Sequence, residues 1–176
     1  DVYLNECKIG RIDDVFVSEI ELHKADNYIS YFVKGLDQDR RYSSRELMEI
    51  VGKGLPDTTI LGAAHKAGVP IFVPALGDSS WGIGMVIALR EGCRVLVDQI
   101  KDVDEITRIV ERSAQTGVIY IGGGVPKNFI QQTEVIAELI GNYSGGHSYA
   151  IQYTADSPHW GGLSGCTFEE AVSWGK

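Results

Sequence analysis

The sequence predicts an α/β fold, with a mostly parallel sheet flanked by helices and a helical portion at the N-terminal end. Two observations carry this. Short apolar runs of the kind buried in parallel sheets recur from residue 69 onward, and helical patterns separate them. The helical patterns begin at residues that cap helices and end at glycines. The 176 residues are 44% hydrophobic and 23% charged, an ordinary globular composition spread without low-complexity runs, linkers or internal repeats.

The elements follow in order. Ser18-Glu19-Ile20-Glu21 has capping-box spacing, and apolar residues recur from Ile20 through Tyr28, Ile29 and Phe32 to Leu36. Ser43-Ser44-Arg45-Glu46 repeats the box before Leu47, Met48, Ile50 and Val51, with Gly52 and Gly54 as stop signals. A third helix is expected over 58–67, ending at Gly68. The period then changes. Residues 69–76, 94–97, 118–121 and 149–153 read as four strands. Helices are expected between them over 81–89, 102–114 and 129–140, the second opened by Asp102 with Glu105 as its reciprocal partner. The first 65 or so residues read as helical decoration on one domain spanning 1–176.

Composition excludes several classes of function. Sixteen basic against 24 acidic residues give a net charge of -8, which disfavours nucleic acid as a partner. No stretch reaches the ~18 apolar residues of a membrane span, and no signal peptide is recognisable. Cys7, Cys93 and Cys166 are widely spaced with no CxxC, as expected of reduced cytoplasmic thiols with no metal site. No two histidines stand at i, i+4 on a helix.

In open α/β sheets ligands bind beyond the carboxyl ends of the strands. The 21 glycines exceed the usual ~7%, and most of that excess falls in the loops there. Gly122-Gly123-Gly124 stands between a strand and a helix, where it either admits an anion to a helix N-terminus or makes a tight turn. Asp78-Ser79-Ser80 could bond a ribose or cap a helix. His159-Trp160 lies in the last glycine-rich loop; His23, His65 and His147 read as structural or solvated. Thr167-Phe168-Glu169-Glu170 is a capping box, and the helix it opens runs to Lys176. A lysine beside Trp174 at this edge is either a Schiff-base nucleophile or a solvated terminal residue.

Three segments together are more specific. Pro74-Ala75-Leu76-Gly77-Asp78-Ser79-Ser80, the run 120–132 from Tyr-Ile-Gly-Gly-Gly-Val-Pro-Lys-Asn to Gln132, and Phe168-Glu169-Glu170-Ala171-Val172-Ser173-Trp174-Gly175-Lys176 resemble the deoxyhypusine synthase family. The loop 157–166, Ser-Pro-His-Trp-Gly-Gly-Leu-Ser-Gly-Cys, resembles its bacterial, deoxyhypusine synthase-like branch. The resemblance implies a Rossmann-like fold and an NAD-dependent aminobutyl transferase. In this family spermidine is oxidised and its aminobutyl group passes through an imine on a lysine, to a translation-factor lysine or to putrescine. By motif, Lys176 matches the imine-forming lysine. Glu170 and Trp174 match residues that hold the polyamine, and Asp78, Gly123, Thr154 and Ala155 match NAD contacts.

Ile83, Asn128 and Leu163 stand where eukaryotic-type members carry acidic, histidine and acidic residues. These departures point away from a translation-factor lysine as acceptor and suit a non-catalytic subunit that completes sites in a homologous chain, while the resemblance to the bacterial branch implies a small acceptor such as putrescine, as in homospermidine synthases. The resemblance further implies a cytoplasmic homotetramer with sites between subunits. It also implies a chain incomplete at both ends relative to the family.

Overall fold

The computed structural model describes residues 2–142 and 145–173. In chain order the elements are α1 (Val2–Glu6), β1 (Ile9–Ile12), β2 (Val15–Ser18), α2 (Glu19–Lys34), β3 (Arg41–Tyr42), α3 (Ser44–Lys53) and α4 (Ile60–Ala67). After a 3-10 turn at Leu76–Asp78 come α5 (Ser80–Arg90), β4 (Leu96–Val97), α6 (Gln99–Glu111), β5 (Gly117–Ile121), α7 (Val125–Leu139) and β6 (Tyr149–Tyr153). A second 3-10 turn at Pro158–Trp160 leads to α8 (Gly162–Gly165) and α9 (Phe168–Val172). Helices and strands mix as expected. The strands form three pairs, β1–β2 antiparallel, β3–β4 parallel and β5–β6 parallel. The chain divides into two compact units, one from Asp1–Tyr42 with Leu76–Val97, the other from Ser43–Ala75 with Asp98–Lys176.

In the first unit α2 packs against α5. Ile29, Val33, Ala88 and Cys93 form the buried centre, with Phe32, Trp81, Met85 and Val95 around it. The helices approach so closely that a Cβ at Gly84 would stand 2.5 Å from the Ile29 side chain, so only glycine fits at this crossing. The Phe32 and Trp81 rings meet edge to face at 6.1 Å. The β1–β2 hairpin corrects the expectation of purely helical decoration. Its turn uses Asp13 at φ 55, a conformation that aspartate tolerates better than most residues. Val15-Phe16-Val17 supplies the strand-forming residues.

The second unit is organised around a buried carboxylate. Asp102, expected to cap its own helix, lies a turn inside α6, whose cap is Asp98 accepting from the Lys101 N–H at 3.1 Å. The fully buried Asp102 side chain instead accepts the backbone N–H groups of Ser44 (3.0 Å) and Arg45 (3.1 Å). It thereby satisfies two orphan donors at the N-terminus of α3 and sits at the positive end of that helix. The Ser43 capping box is complete, with Glu46 returning to the Ser43 N–H at 2.9 Å. Arg45 pairs with Glu105, and Lys101 with Glu46 at 2.7 Å.

The same cluster explains why 69–76 is not the strand that its apolar run predicts. Pro70 and Pro74 carry no N–H, and the Val73 N–H donates to Ser44 Oγ at 2.8 Å. The expected cap at Ser18 also makes no side-chain bond.

Replacing Asp102 by Ala strands two backbone donors at the start of α3. This is expected to lower the unfolding free energy by roughly 2–4 kcal/mol in urea titration. Asp102→Asn, which keeps an acceptor, should fall between. A loss below about 0.5 kcal/mol in Asp102→Ala, the usual size for a surface change, would show the carboxylate is not needed there.

Candidate active site at the strand ends

β5 and β6 run parallel in register from Gly117↔Tyr149 to Ile121↔Tyr153. Their carboxyl ends therefore release two glycine-rich segments, 122–124 and 154–165, at one edge. The Gly122 N–H continues the ladder to Tyr153 O at 2.7 Å. Gly122 (φ 86) and Gly124 (φ 75) lie in the region that favours glycine, with no atom where a side chain would project. Gly124 opens α7, whose N-terminus carries no side-chain cap. Gly123 differs. A Cβ there would stand 2.5 Å from Ser164 Cα, so its missing side chain makes room for α8.

Two side chains that the sequence reading did not single out hold this edge together. Lys127 is only 2% exposed, and its Nζ donates to Gln152 Oε1 (2.9 Å) and to Cys166 O (2.6 Å). Gln152 Nε2 donates to Gly122 O (2.9 Å) and Ser164 O (3.2 Å). Together they tie the first turn of α7, the end of β6, the Gly122 turn and the α8 segment. The signal for Gln152 was a polar residue at an inward position of an apolar strand, and for Lys127 a lysine in the first turn of a buried helix.

A cleft of about 370 Å³ runs along β5 beside this edge, lined by Ile119, Ile121, Gly122, Gly123, Pro126 and Lys127 among others. Thr154 and Ala155 are exposed just past β6, Thr154 Oγ1 accepting from the Asp156 N–H at 3.1 Å. Glu170 is exposed on α9, and its N–H donates to Thr167 Oγ1 at 3.2 Å, the forward half of the expected box. Asp78 is exposed in the 3-10 turn before α5, in the first unit, where Ser79 Oγ donates to Leu76 O at 2.6 Å instead of capping α5. Trp174 and Lys176 lie outside the described residues. His159 and Trp160 are exposed. Ile83 and Leu163 are exposed apolar groups, and Asn128 Nδ2 contacts Gln132 Oε1 at 3.5 Å.

Comparison with known proteins gives this edge a context. The deoxyhypusine synthase family model matches residues 1–176. The chain belongs to the deoxyhypusine synthase family. A Methanosarcina acetivorans protein named probable deoxyhypusine synthase 2 is 59% identical over 181 residues, covering 100% of this chain and 52% of its own length. An Archaeoglobus fulgidus protein of the same name is 50% identical over 182 residues, covering 99% of this chain and 59% of its own. An Elusimicrobium minutum protein named deoxyhypusine synthase-like is 42% identical over 183 residues, covering 100% of this chain and 48% of its own. The chain thus spans about half the length of these relatives. Among the described residues, no helix is long and apolar enough to cross a membrane, and no cluster of three or more His, Cys, Asp or Glu could hold a metal ion.

Two ionisable groups on the packed face of β5–β6 are shifted. Burial pushes the Tyr120 phenol up to about 12, helped by the negative fields of Cys166 and Glu134. Burial holds His147 below its ordinary value of 6.5, against the raising effect of Glu134. Because His147 stays neutral in the fold, the unfolded chain binds more protons below pH 6.5, and stability falls there as pH drops. The tyrosine acts at the other end. Stability is intact below the ordinary value of 10.0 and declines as pH rises through about 12. Urea midpoints measured across pH should show both flanks, with His147→Gln flattening the acid one and Tyr120→Phe the alkaline one. Unchanged flanks in both variants would contradict these assignments.

Proposed function

We propose that the full-length protein is an NAD-dependent aminoalkyl transferase, moving an aminobutyl group from a polyamine through an imine on Lys176. The observation that carries this reading is the family match over the whole chain, together with the segment 168–176, where Lys176 follows the glycine-rich edge directly in sequence. In this reading residues 1–176 form part of one Rossmann-like NAD-binding transferase domain, in a cytoplasmic homotetramer with sites between subunits.

The local geometry around Gly122–Gly124 suits a dinucleotide. Positive-φ glycines with open space above them and an uncapped helix N-terminus let a diphosphate approach the backbone N–H groups of α7. Gly123, Thr154, Ala155 and Asp78 would hold NAD, with Gly123 acting through its close approach to Ser164 and Thr154 through backbone and hydroxyl. NAD, when bound, supplies a two-electron hydride acceptor.

The chain's own groups do the rest. The Lys176 amine is the nucleophile, which replaces one difficult amine exchange by two imine steps. Trp174 offers a ring face to an ammonium, and Glu170 a counter-charge. Ile83, Leu163 and Asn128 lack the charged groups that eukaryotic-type members carry there, and the resemblance to the bacterial branch favours a small diamine such as putrescine as acceptor over a protein lysine.

Full-length protein incubated with NAD and labelled spermidine, then reduced with borohydride, should carry label on Lys176. Lys176→Ala should lose at least about 10³-fold of the transfer rate, as expected when the nucleophile of a covalent route is removed. Added putrescine should discharge the label. No adduct with spermidine, putrescine or homospermidine would overturn the lysine route, and activity restored only by mixing with a longer homologue would favour a non-catalytic subunit.

A further inference from the structure

The other end of β5–β6 holds a second constellation. Thr116 precedes β5, His147 lies two residues before β6, and the Ser148 N–H donates to Thr116 O at 2.9 Å. Both residues thus sit at the amino ends of the strands, about 20 Å from the glycine loops at ~3.3 Å per strand residue. His147 Nδ1 lies 3.1 Å from Glu134 Oε1 and 2.8 Å from Thr116 Oγ1, and Thr116 Oγ1 donates to Glu134 Oε1 at 3.3 Å. Glu134 is fully buried in the middle of α7.

A carboxylate can only accept, so the imidazole proton sits on Nδ1 and Nε2 presents a lone pair. The His147 side chain is 6% exposed, and its Nε2 is buried without a hydrogen-bond partner among the described residues. The Tyr120 Oη is also buried and unpartnered there. Both residues line one partly open cavity of about 250 Å³, walled by Val118, Gln131, Ala150, Phe168, Ala171 and Val172.

Buried polar atoms are almost always satisfied, so two orphans on one cavity call for an occupant. The chemistry narrows it. Nε2 can only accept, and a phenol oxygen accepts as readily as it donates. Glu134 places a fixed negative charge behind the imidazole, in surroundings where charge acts strongly. The mainly apolar walls, with the Gln131 amide among them, suit methylenes, and the volume is about eight times a water's share of the liquid. A neutral alcohol offers one donor and no charge, whereas a primary ammonium offers three donors and the complementary charge.

We propose that this cavity is a second binding site, for a short primary alkylammonium, whose N–H groups donate to His147 Nε2 and Tyr120 Oη while its chain lies against Val118, Ala150 and Phe168. His147 lies at the opposite end of the strands from the glycine-rich turn, Val118 and Tyr120 also line the cleft along β5, and the site does not depend on the chemistry assigned to Lys176.

The test is a titration of the full-length protein, labelled with ¹⁵N-histidine, with n-propylammonium near neutral pH. The His147 Nε2 resonance should shift saturably. Tyr120→Phe, which keeps the ring packing, should weaken that binding about tenfold, the loss expected for one hydrogen bond to a charged group. Lys176→Ala should leave it unchanged. Three results would each overturn the proposal: a His147 resonance that does not move, an n-propanol titration of equal affinity, or loss of the shift in Lys176→Ala.

Discussion

The ammonium of Lys127 is the constraint around which the strand-end edge is arranged. A lysine almost sealed from water is costly unless its donors are met. Here Gln152 Oε1 and Cys166 O meet two of them, and the Tyr120 ring lies 5.8 Å from Nζ. Because the acceptors belong to β6 and to the residue after α8, satisfying the charge fixes where the chain returns after its long glycine-rich excursion. Gln152 passes the restraint on to Gly122 and Ser164. Gly123 can then lie against Ser164 only because it has no side chain. Glycines give the edge its permissive backbone, and one buried cation removes the freedom that so many glycines would otherwise leave.

A second buried charge plays the corresponding part elsewhere in the same unit. Asp102 joins α6 to the start of α3 through backbone N–H groups, and so does by a long-range bond what a local cap does by a short one. Both charges are held by main-chain groups as well as side chains. Polar groups in a core of modest size therefore set the register between elements that apolar contact alone would let slide.

Much of this was legible in the sequence where the signal is local. The Ser43 box, the Thr167 cap, Gly68 as a left-handed stop and the parallel runs 118–121 and 149–153 all rest on neighbours within a few residues. What failed was what depends on distant partners. Asp102 has the spacing of a cap, but its oxygens are taken by residues 57 and 58 positions away. The run 69–76 is apolar enough for a strand, but two prolines and the Ser44 hydroxyl remove its ladder donors. Within the candidate site, the glycine loops were visible because loops after strands are where ligands bind, and Thr154 through the family resemblance. Lys127, Gln152, Glu134 and Tyr120 were not, because inward-facing polar residues become informative only once their partners are known. The strands also proved one-sided: Val118, Tyr120 and Ala150 face inward, while Ile119, Ile121, Tyr149 and Tyr153 are exposed.

The order of the glycine-rich edge depends on the Lys127 charge. The direct measurement is amide hydrogen exchange in the full-length protein, wild type against Lys127→Met, which keeps length and apolar bulk. Residues 122–124 and 162–170 should lose protection by about tenfold or more as that segment opens locally, while the α3 and α6 amides keep theirs. Unchanged protection at 162–170 in a folded Lys127→Met protein would contradict it.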